Sequence, residues 1–298
     1  MGGDEGSPTS LDEAFGLVAN DTRFDIIRTL WDADDEALSF STLRDRTGVR
    51  DSGQFNYHLD QLVPRFVRNV PDGYELTYAG RQVIGAAVSG SYTEAETTVV
   101  DPIPAGTCVD PNCDGTIAAR YENGYMTVEC RVCATVITDE LAAPPVLAAH
   151  HDVEDLPMVF SRYLLTWVQS VSRGFCRVCG GPVESSPARY HDDAPPLDEE
   201  DSDDEYVEVI SECSACGWTA QSILAMVLLD HPAVISFLHG ADIDLQETPL
   251  WELDWLTEAR GVITGEDPIR VEVTLAIQDD RLHLVLDGDL TVIDHARE

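Results

Sequence analysis

CVDPNCDGTIAARYENGYMTVECRVC, residues 108–133, sets a cysteine pair at each end of a segment that reads as a hairpin. Ile117–Tyr121 and Tyr125–Glu129 are the expected strands. Glu122-Asn123-Gly124 joins them, and Asn-Gly is a strong two-residue hairpin signal. Thiolates a few residues apart in a tight knuckle reach one metal ion, and a second knuckle completes a tetrahedron around it. Cys108, Cys113, Cys130 and Cys133 therefore form one candidate shell. The pattern recurs downstream with Cys176, Cys179, Cys213 and Cys216. There Val183–Tyr190 and Glu205–Ile210 are the expected strands, around the acidic, Pro-containing insert His191–Asp204. All eight cysteines are used.

The expectation is two zinc ribbons holding two structural Zn2+ ions per chain. Four thiolates leave no open coordination position, so neither ion should be catalytic. The metal would replace the core that such small modules lack. Disulfides are disfavoured in a cytosolic chain. A redox CxxC would account for one pair but not for two matched quartets. His150, His151, His191, His231 and His239 lie near the clusters, but both shells are already filled.

Upstream of the cysteines, residues 10–90 read as four helices, a hairpin and a further helix. Ser10 and Glu13 form a capping-box pattern ahead of a stripe of Leu11, Phe15 and Val18. A second helix starts at Asp21 or Thr22 and carries Phe24, Ile27, Leu30 and Trp31 at helical spacing. Ser41 is the expected cap of a third helix, which holds Leu43 and ends near Gly48. A fourth runs from Ser52 to Val63, ahead of Pro64. Phe66–Val70 and Tyr74–Thr77 are strands around Pro71-Asp72-Gly73, and residues 78–90 return to helix. This is the element order of a winged helix-turn-helix. On the fourth helix Phe55, Leu59 and Leu62 share the inward face. Gln54, Tyr57, Asp60 and Gln61 point away, with Asn56 at the flank. Amides suit adenine edges, and hydroxyls suit bases or phosphate. Arg46 and Arg50 precede this helix, Ser52 begins it, and Arg65 and Arg68 follow it. Guanidinium groups there can hold phosphates.

Two stretches carry a resemblance. Leu11–Leu30, LDEAFGLVANDTRFDIIRTL, resembles the opening of arsenical-repressor-type (ArsR-like) winged helices. Gln54–Leu62, QFNYHLDQL, is similar to that family's recognition-helix ending, an HL-xx-L pattern formed here by His58, Leu59 and Leu62. The resemblance implies a DNA-binding fold with Gln54, Asn56 and Tyr57 toward the duplex. It covers about 80 of the 298 residues, and residues 1–107 contain no Cys, so metal sensing is not implied. Joined to zinc ribbons, the chain resembles haloarchaeal winged-helix regulators.

Charge bears on the same question. The chain has 18 basic residues, all Arg, against 55 acidic ones, for a net charge of −37. An acidic chain without Lys is of the halophilic type. In molar salt the Debye length is about 3 Å, which screens self-repulsion. A mesophilic acidic interaction protein is the alternative. Ser41–Arg81 departs from the average: Arg44, Arg46, Arg50, Arg65, Arg68 and Arg81 face Asp45, Asp51, Asp60, Asp72 and Glu75, leaving +1. A polyanion could approach there.

The organisation expected is an α+β chain. Residues 1–9 are a disordered tail, 10–90 the winged helix-turn-helix DNA-binding domain, and 91–107 a linker with Pro102 and Pro104. Residues 108–140 form zinc ribbon 1. Residues 146–245 form a helical region with zinc ribbon 2, in which Leu156–Val171, Trp218–Leu229 and Ala233–Leu238 are helices. Residues 246–298 form a C-terminal antiparallel β segment. There Val271, Val273, Leu275 and Ile277 alternate, as do Leu282, Leu284 and Leu286, about an Asp279-Asp280 turn. A third strand is expected at Leu290–Ile293. Trp251 and Trp255 are expected as core residues on one helix face. No stretch approaches the ~20 apolar residues of a membrane span, and the first ten residues lack the basic and apolar regions of a signal peptide. A cytoplasmic protein is expected. No nucleophile elbow, phosphate loop or dinucleotide fingerprint occurs, so no enzyme is expected. The function expected is DNA-binding transcriptional regulation, with double-stranded DNA as partner and a homodimer left open. The alternative is an adaptor that holds a protein partner through its ribbons, with a winged helix that does not bind DNA.

Overall fold

The computed structural model describes residues 10–33, 36–90, 100–110, 112–189, 207–259 and 261–298. The expected N-terminal tail and the whole acidic insert His191–Asp204 lie outside them. The chain mixes helices with antiparallel sheets and divides into two compact units: 1–97 with 144–146, and 98–143 with 147–298.

The first unit holds α1 (Leu11–Val18), α2 (Asp21–Trp31), α3 (Phe40–Thr47), α4 (Ser52–Leu62), β1 (Val67–Val70), β2 (Gly73–Leu76) and α5 (Tyr78–Val88). Local chemistry starts each helix. The Ser10–Glu13 capping box opens α1, Asn20 caps α2 and Asp51 caps α4 by accepting from Gln54 N–H at 2.7 Å. Ser39, not Ser41, caps α3. The reason is tertiary: Leu38 exchanges both backbone hydrogen bonds with Tyr74 of β2, so the chain leaves strand geometry one residue later. Gly48 ends α3 in the left-handed conformation, as expected of a C-terminal stop.

Ile26, Ile27, Leu43, Phe55, Leu59 and Leu62 are completely buried at the centre of this unit. The expected stripe of α1 is displaced: Phe15 is exposed, and Ala14, Leu17 and Val18 pack on the core. Trp31 is also exposed. Gly73 has φ +141°, and a Cβ there would lie 2.2 Å from Leu38 O. Only glycine lets the Leu38 segment approach this closely.

In the second unit β3 (Val100–Thr107), β4 (Thr116–Glu122), β5 (Tyr125–Cys130) and β6 (Val136–Ala142) form a four-stranded antiparallel meander. Residues 100–107, expected as linker, are thus a strand. Its register shifts between Val100 and Ile103 and again between Pro104 and Gly106, which accommodates Pro102 and Pro104 at a sheet edge. Asn123 and Gly124 both have positive φ, the requirement of the expected hairpin turn. After α6 (Pro145–Ala149) comes the long apolar α7 (Leu156–Ser172).

A three-stranded sheet follows: β7 (Val183–Arg189), β8 (Val207–Cys213) and β9 (Thr219–Ile223). Residues 219–223 are therefore strand, where a helix was expected, and helix starts only at α8 (Leu224–Leu228). α9 (Pro232–Gly240) and α10 (Asp254–Glu258) lead to a second four-stranded meander of β10 (Val262–Glu266), β11 (Ile269–Ile277), β12 (Asp280–Asp287) and β13 (Val292–Arg297). The β11–β12 turn falls at Gln278-Asp279, one residue before the expected position. The last strand begins at Val292, later than expected.

The pieces read separately in the sequence share one core. It runs from Ala105 and Tyr121 through Phe160 and Leu228 to Val271 and Leu286. Tyr121 stacks on Phe160 at 5.6 Å. Trp251 Nε1 donates to Ala105 O at 2.7 Å, and Leu250 N donates to Ser161 Oγ at 2.8 Å. Trp251 and Trp255 are both core residues, but they do not share one helix: Trp251 lies in a 3-10 turn and Trp255 in α10. Among the described residues no helix is long and apolar enough to cross a membrane.

Candidate metal centres and candidate nucleic-acid interface

The two cysteine quartets follow one plan. A first knuckle enters a hairpin, a second knuckle leaves it, and a third strand pairs alongside: β4, β5 and β6 for the first quartet, β7, β8 and β9 for the second. Each knuckle is closed by a backbone bond from its first cysteine to the carbonyl two residues past its second. The donors are Cys108, Cys130, Cys176 and Cys213; the acceptors are Gly115, Thr135, Gly181 and Trp218, at 2.8–2.9 Å. The two extra residues between Cys108 and Cys113 are absorbed without changing that bond.

The folded chain brings all the predicted cysteines together as two groups, Cys108, Cys113, Cys130 and Cys133, and Cys176, Cys179, Cys213 and Cys216. Within each group the sulfurs lie within 4.8 Å of one another. Sulfur separations are 3.5 Å for Cys108–Cys133, 3.8 Å for Cys113–Cys130, 3.8 Å for Cys176–Cys216 and 3.6 Å for Cys179–Cys213. A tetrahedral zinc with bonds of about 2.3 Å needs edges of about 3.8 Å. These distances are far beyond a disulfide bond, and all eight cysteines are free. Among the described residues no histidine joins either group.

The surroundings suit thiolate ligands. Every sulfur accepts an N–H from the residue two positions later: Asp110, Gly115, Val132, Thr135, Val178, Gly181, Ala215 and Trp218 in turn. Such bonds favour the charged sulfur. Crowded without metal, the thiols cannot all ionise. Cys133 is drawn down to about 6, first by the Thr135 hydroxyl 3.1 Å away. Cys108 is pushed up to about 12, first by burial and then by neighbouring sulfurs. In the second group burial raises Cys213, but the Cys216 and Ala215 N–H groups outweigh it and bring it to about 7. Cys216 keeps the favourable Trp218 N–H, yet Cys179 and burial carry it to about 12.

Three supporting residues escaped the sequence reading: Thr135, Gly115 and Gly181. A Cβ at Gly115 would stand 2.8 Å from Cys130 Sγ, and one at Gly181 would stand 3.1 Å from Cys179 Sγ. The signal was a glycine two residues after a ligand cysteine, in Cys113-Asp-Gly115 and Cys179-Gly-Gly181.

The predicted nucleic-acid residues all lie in the first unit. Ser52, Gln54, Asn56, Tyr57 and Gln61 are exposed along α4, with Tyr57 61% accessible. Arg46, in the last turn of α3, and Arg50, just before α4, are exposed and make no ion pair among the described residues. Arg68 is exposed but pairs with Glu75 at 2.5 Å. Arg65 is half-buried and engaged. Most acids of this neutral window are occupied too: Asp45 with Arg44 at 3.0 Å, Asp60 with Asn56 Nδ2 at 2.7 Å, Glu75 with Arg68, and Asp51 as the cap of α4. Asn56 is therefore held by Asp60 rather than free to read a base. His58 packs edge-on to Tyr57 at 5.3 Å.

Residues 105–292 match the family model described as Domain of unknown function (DUF7351), and this covers more than half of the chain. The chain belongs to the DUF7351 family. Residues 11–87 match a second model, Domain of unknown function (DUF7347). The DUF7351 match holds both cysteine groups and the first three strands of the C-terminal meander, and the DUF7347 match falls within the first compact unit. A comparison with curated proteins returns no match.

Proposed function

We propose that this DUF7351 chain binds duplex DNA through α4 of its first unit and holds two structural zinc ions in its second. The observation that carries the DNA reading is the exposed polar face of α4, with Gln54, Tyr57 and Gln61 accessible and the exposed Arg46 and Arg50 ahead of it. The order α2, Leu38 bridge, α3, α4 and hairpin supports a winged helix-turn-helix of the ArsR-like type, because the hairpin pairs back onto the segment before α3. Bound zinc would cross-link each pair of knuckles. The thiolates themselves fill its shell, so the role is structural. Binding in molar salt gains little from counterion release and rests on hydrogen bonds and groove shape. A contact surface near neutrality then suffices.

The test is selection from a random duplex pool in molar KCl, followed by mobility shifts. Gln54→Ala/Gln61→Ala and Arg46→Ala/Arg50→Ala should each weaken the selected duplex about tenfold or more. Failure of the wild type to enrich any sequence, or binding by both variants as tight as the wild type's, removes the DNA reading.

A second reading, the adaptor, is favoured by one observation. Both CRVC knuckles expose their valine, Val132 at 73% and Val178 at 66%. If the ribbons hold a protein partner, Val132→Asp/Val178→Asp should abolish that complex and leave duplex binding intact.

A further inference from the structure

A pocket of about 520 Å³, partly open to solvent, is set into the second unit. Its walls come mainly from β6, α7, β9, α8 and residues 250–256. Small-molecule pockets of about 300–1,000 Å³ are mostly apolar, with a few placed polar groups, and this one has that make-up. In a chain that is 24% charged, no described lining residue carries a charge. Trp167, Trp218 and Trp251 all reach it, and Trp167 meets Trp218 edge-to-face at 6.1 Å. The polar handles are Gln221 and the hydroxyls of Thr135, Thr138, Ser211 and Ser222.

Charge selects the ligand class. The described lining offers an ammonium no carboxylate, and the nearby Arg177 guanidinium is engaged by Ala142 O at 2.6 Å and by the Trp167 face at 4.9 Å, so a charged group would leave water with no free counter-charge, which is costly. A wholly aliphatic ligand would leave the aromatic walls and the amide unused. We infer that the cavity binds an uncharged, ring-bearing hydrophobic small molecule, with the tryptophans against its rings and Gln221 as a hydrogen-bonding partner. The site adjoins both cysteine groups. Thr135, in one wall, contacts Cys133 Sγ at 3.1 Å. Trp218, in another, closes the Cys213–Cys216 knuckle through its carbonyl. The inference needs no DNA and stands apart from the DNA reading.

The test uses the zinc-loaded full chain in molar KCl, without DNA, titrated with Nile red as a neutral polycyclic probe. One saturable site per chain with blue-shifted emission is expected, and an anionic naphthalene sulfonate should not compete. Ala220→Trp from the β9 wall and Thr138→Trp from the β6 wall fill the space. Each should weaken the probe about tenfold or more while keeping two zinc ions. Hydrogen exchange on the wild type needs no variant: the probe should protect amides of β6, α7 and β9. Absence of a saturable site, protection confined to other elements, or unchanged affinity in a zinc-retaining filled variant overturns the proposal.

Discussion

Replacing Gly115 by alanine should weaken one metal site and spare the other. The added Cβ would lie 2.8 Å from Cys130 Sγ, 2.9 Å from Val132 Cβ and 3.0 Å from Cys113 Sγ. Relaxed contacts need about 3.5–4.0 Å, so the methyl group is short of room by roughly 1 Å against two ligands at once. Cys113 and Cys130 already stand 3.8 Å apart, the tetrahedral edge. They can yield only by widening the shell or by shifting β4, which would also stretch the Gly115 N–H bond to Cys113 Sγ. Overpacking of this kind costs about 1–3 kcal/mol, and zinc affinity at this site should fall by about 5- to 150-fold. The assay is stepwise zinc release to a chromophoric chelator. The wild type should surrender two ions per chain, and Gly115→Ala should lose one of them at lower chelator concentration. Gly181→Ala makes the complementary variant, because its Cβ would meet Ala215 Cβ at 2.7 Å and Cys179 Sγ at 3.1 Å. It should lower the other ion's affinity and leave the first unchanged. Release of both ions at wild-type chelator concentrations by Gly115→Ala would refute the packing argument. One zinc or none in the wild type would refute the two-site reading itself.

Three further outcomes are expected. Gly73→Ala drives a methyl group into the Leu38 backbone and should destabilise the first unit by about 3 kcal/mol, more than ordinary overpacking of a side chain, as read by urea unfolding in molar KCl. Asp51→Asn keeps the α4 cap while removing a charge beside the proposed duplex, so it should tighten DNA binding. Asp51→Ala loses the cap bond to Gln54 and should cost about 1 kcal/mol of stability. Zinc affinity should climb with pH. Cys108 and Cys216, held at about 12 without metal, are protonated at neutral pH and must each lose a proton to bind. The logarithm of the affinity should then rise by at least about one per pH unit at each site between pH 7 and 9. Below about pH 6 the Cys133 thiolate also takes up a proton, and the first site should weaken more steeply. Isotherms measured at several pH values check this, and a flat profile would contradict the assignment of those thiols as ligands.

Much of the candidate site was legible because its signals are local. A knuckle is a few residues long, so cysteine spacing alone groups the ligands. Asn123-Gly124 names its turn through the positive φ that both residues must adopt. Ser10, Gly48 and the alternation of Val271, Val273 and Leu275 likewise act through neighbours one to four residues away. What lay beyond the sequence depended on remote partners. Ser39 rather than Ser41 caps α3 because Tyr74 holds Leu38. Residues 136–142 lack clean alternation and become strand by pairing with β5. Residues 219–223 belong to an apolar run that reads equally as helix, and pairing with β8 decides otherwise. Phe15 and Trp31 fit helical stripes, yet their faces turn outward because other side chains fill the first unit's core. Sequence by itself thus determined which thiols gather into each group and where most helices of the first unit begin, since those choices close within a few bonds of the chain. Only the tertiary structure decided which strands flank the knuckles, because those strands are set by pairing and not by their own pattern, and that the ribbon, helical and β segments share one core with a pocket among them, because these depend on surfaces brought together from residues more than a hundred positions apart.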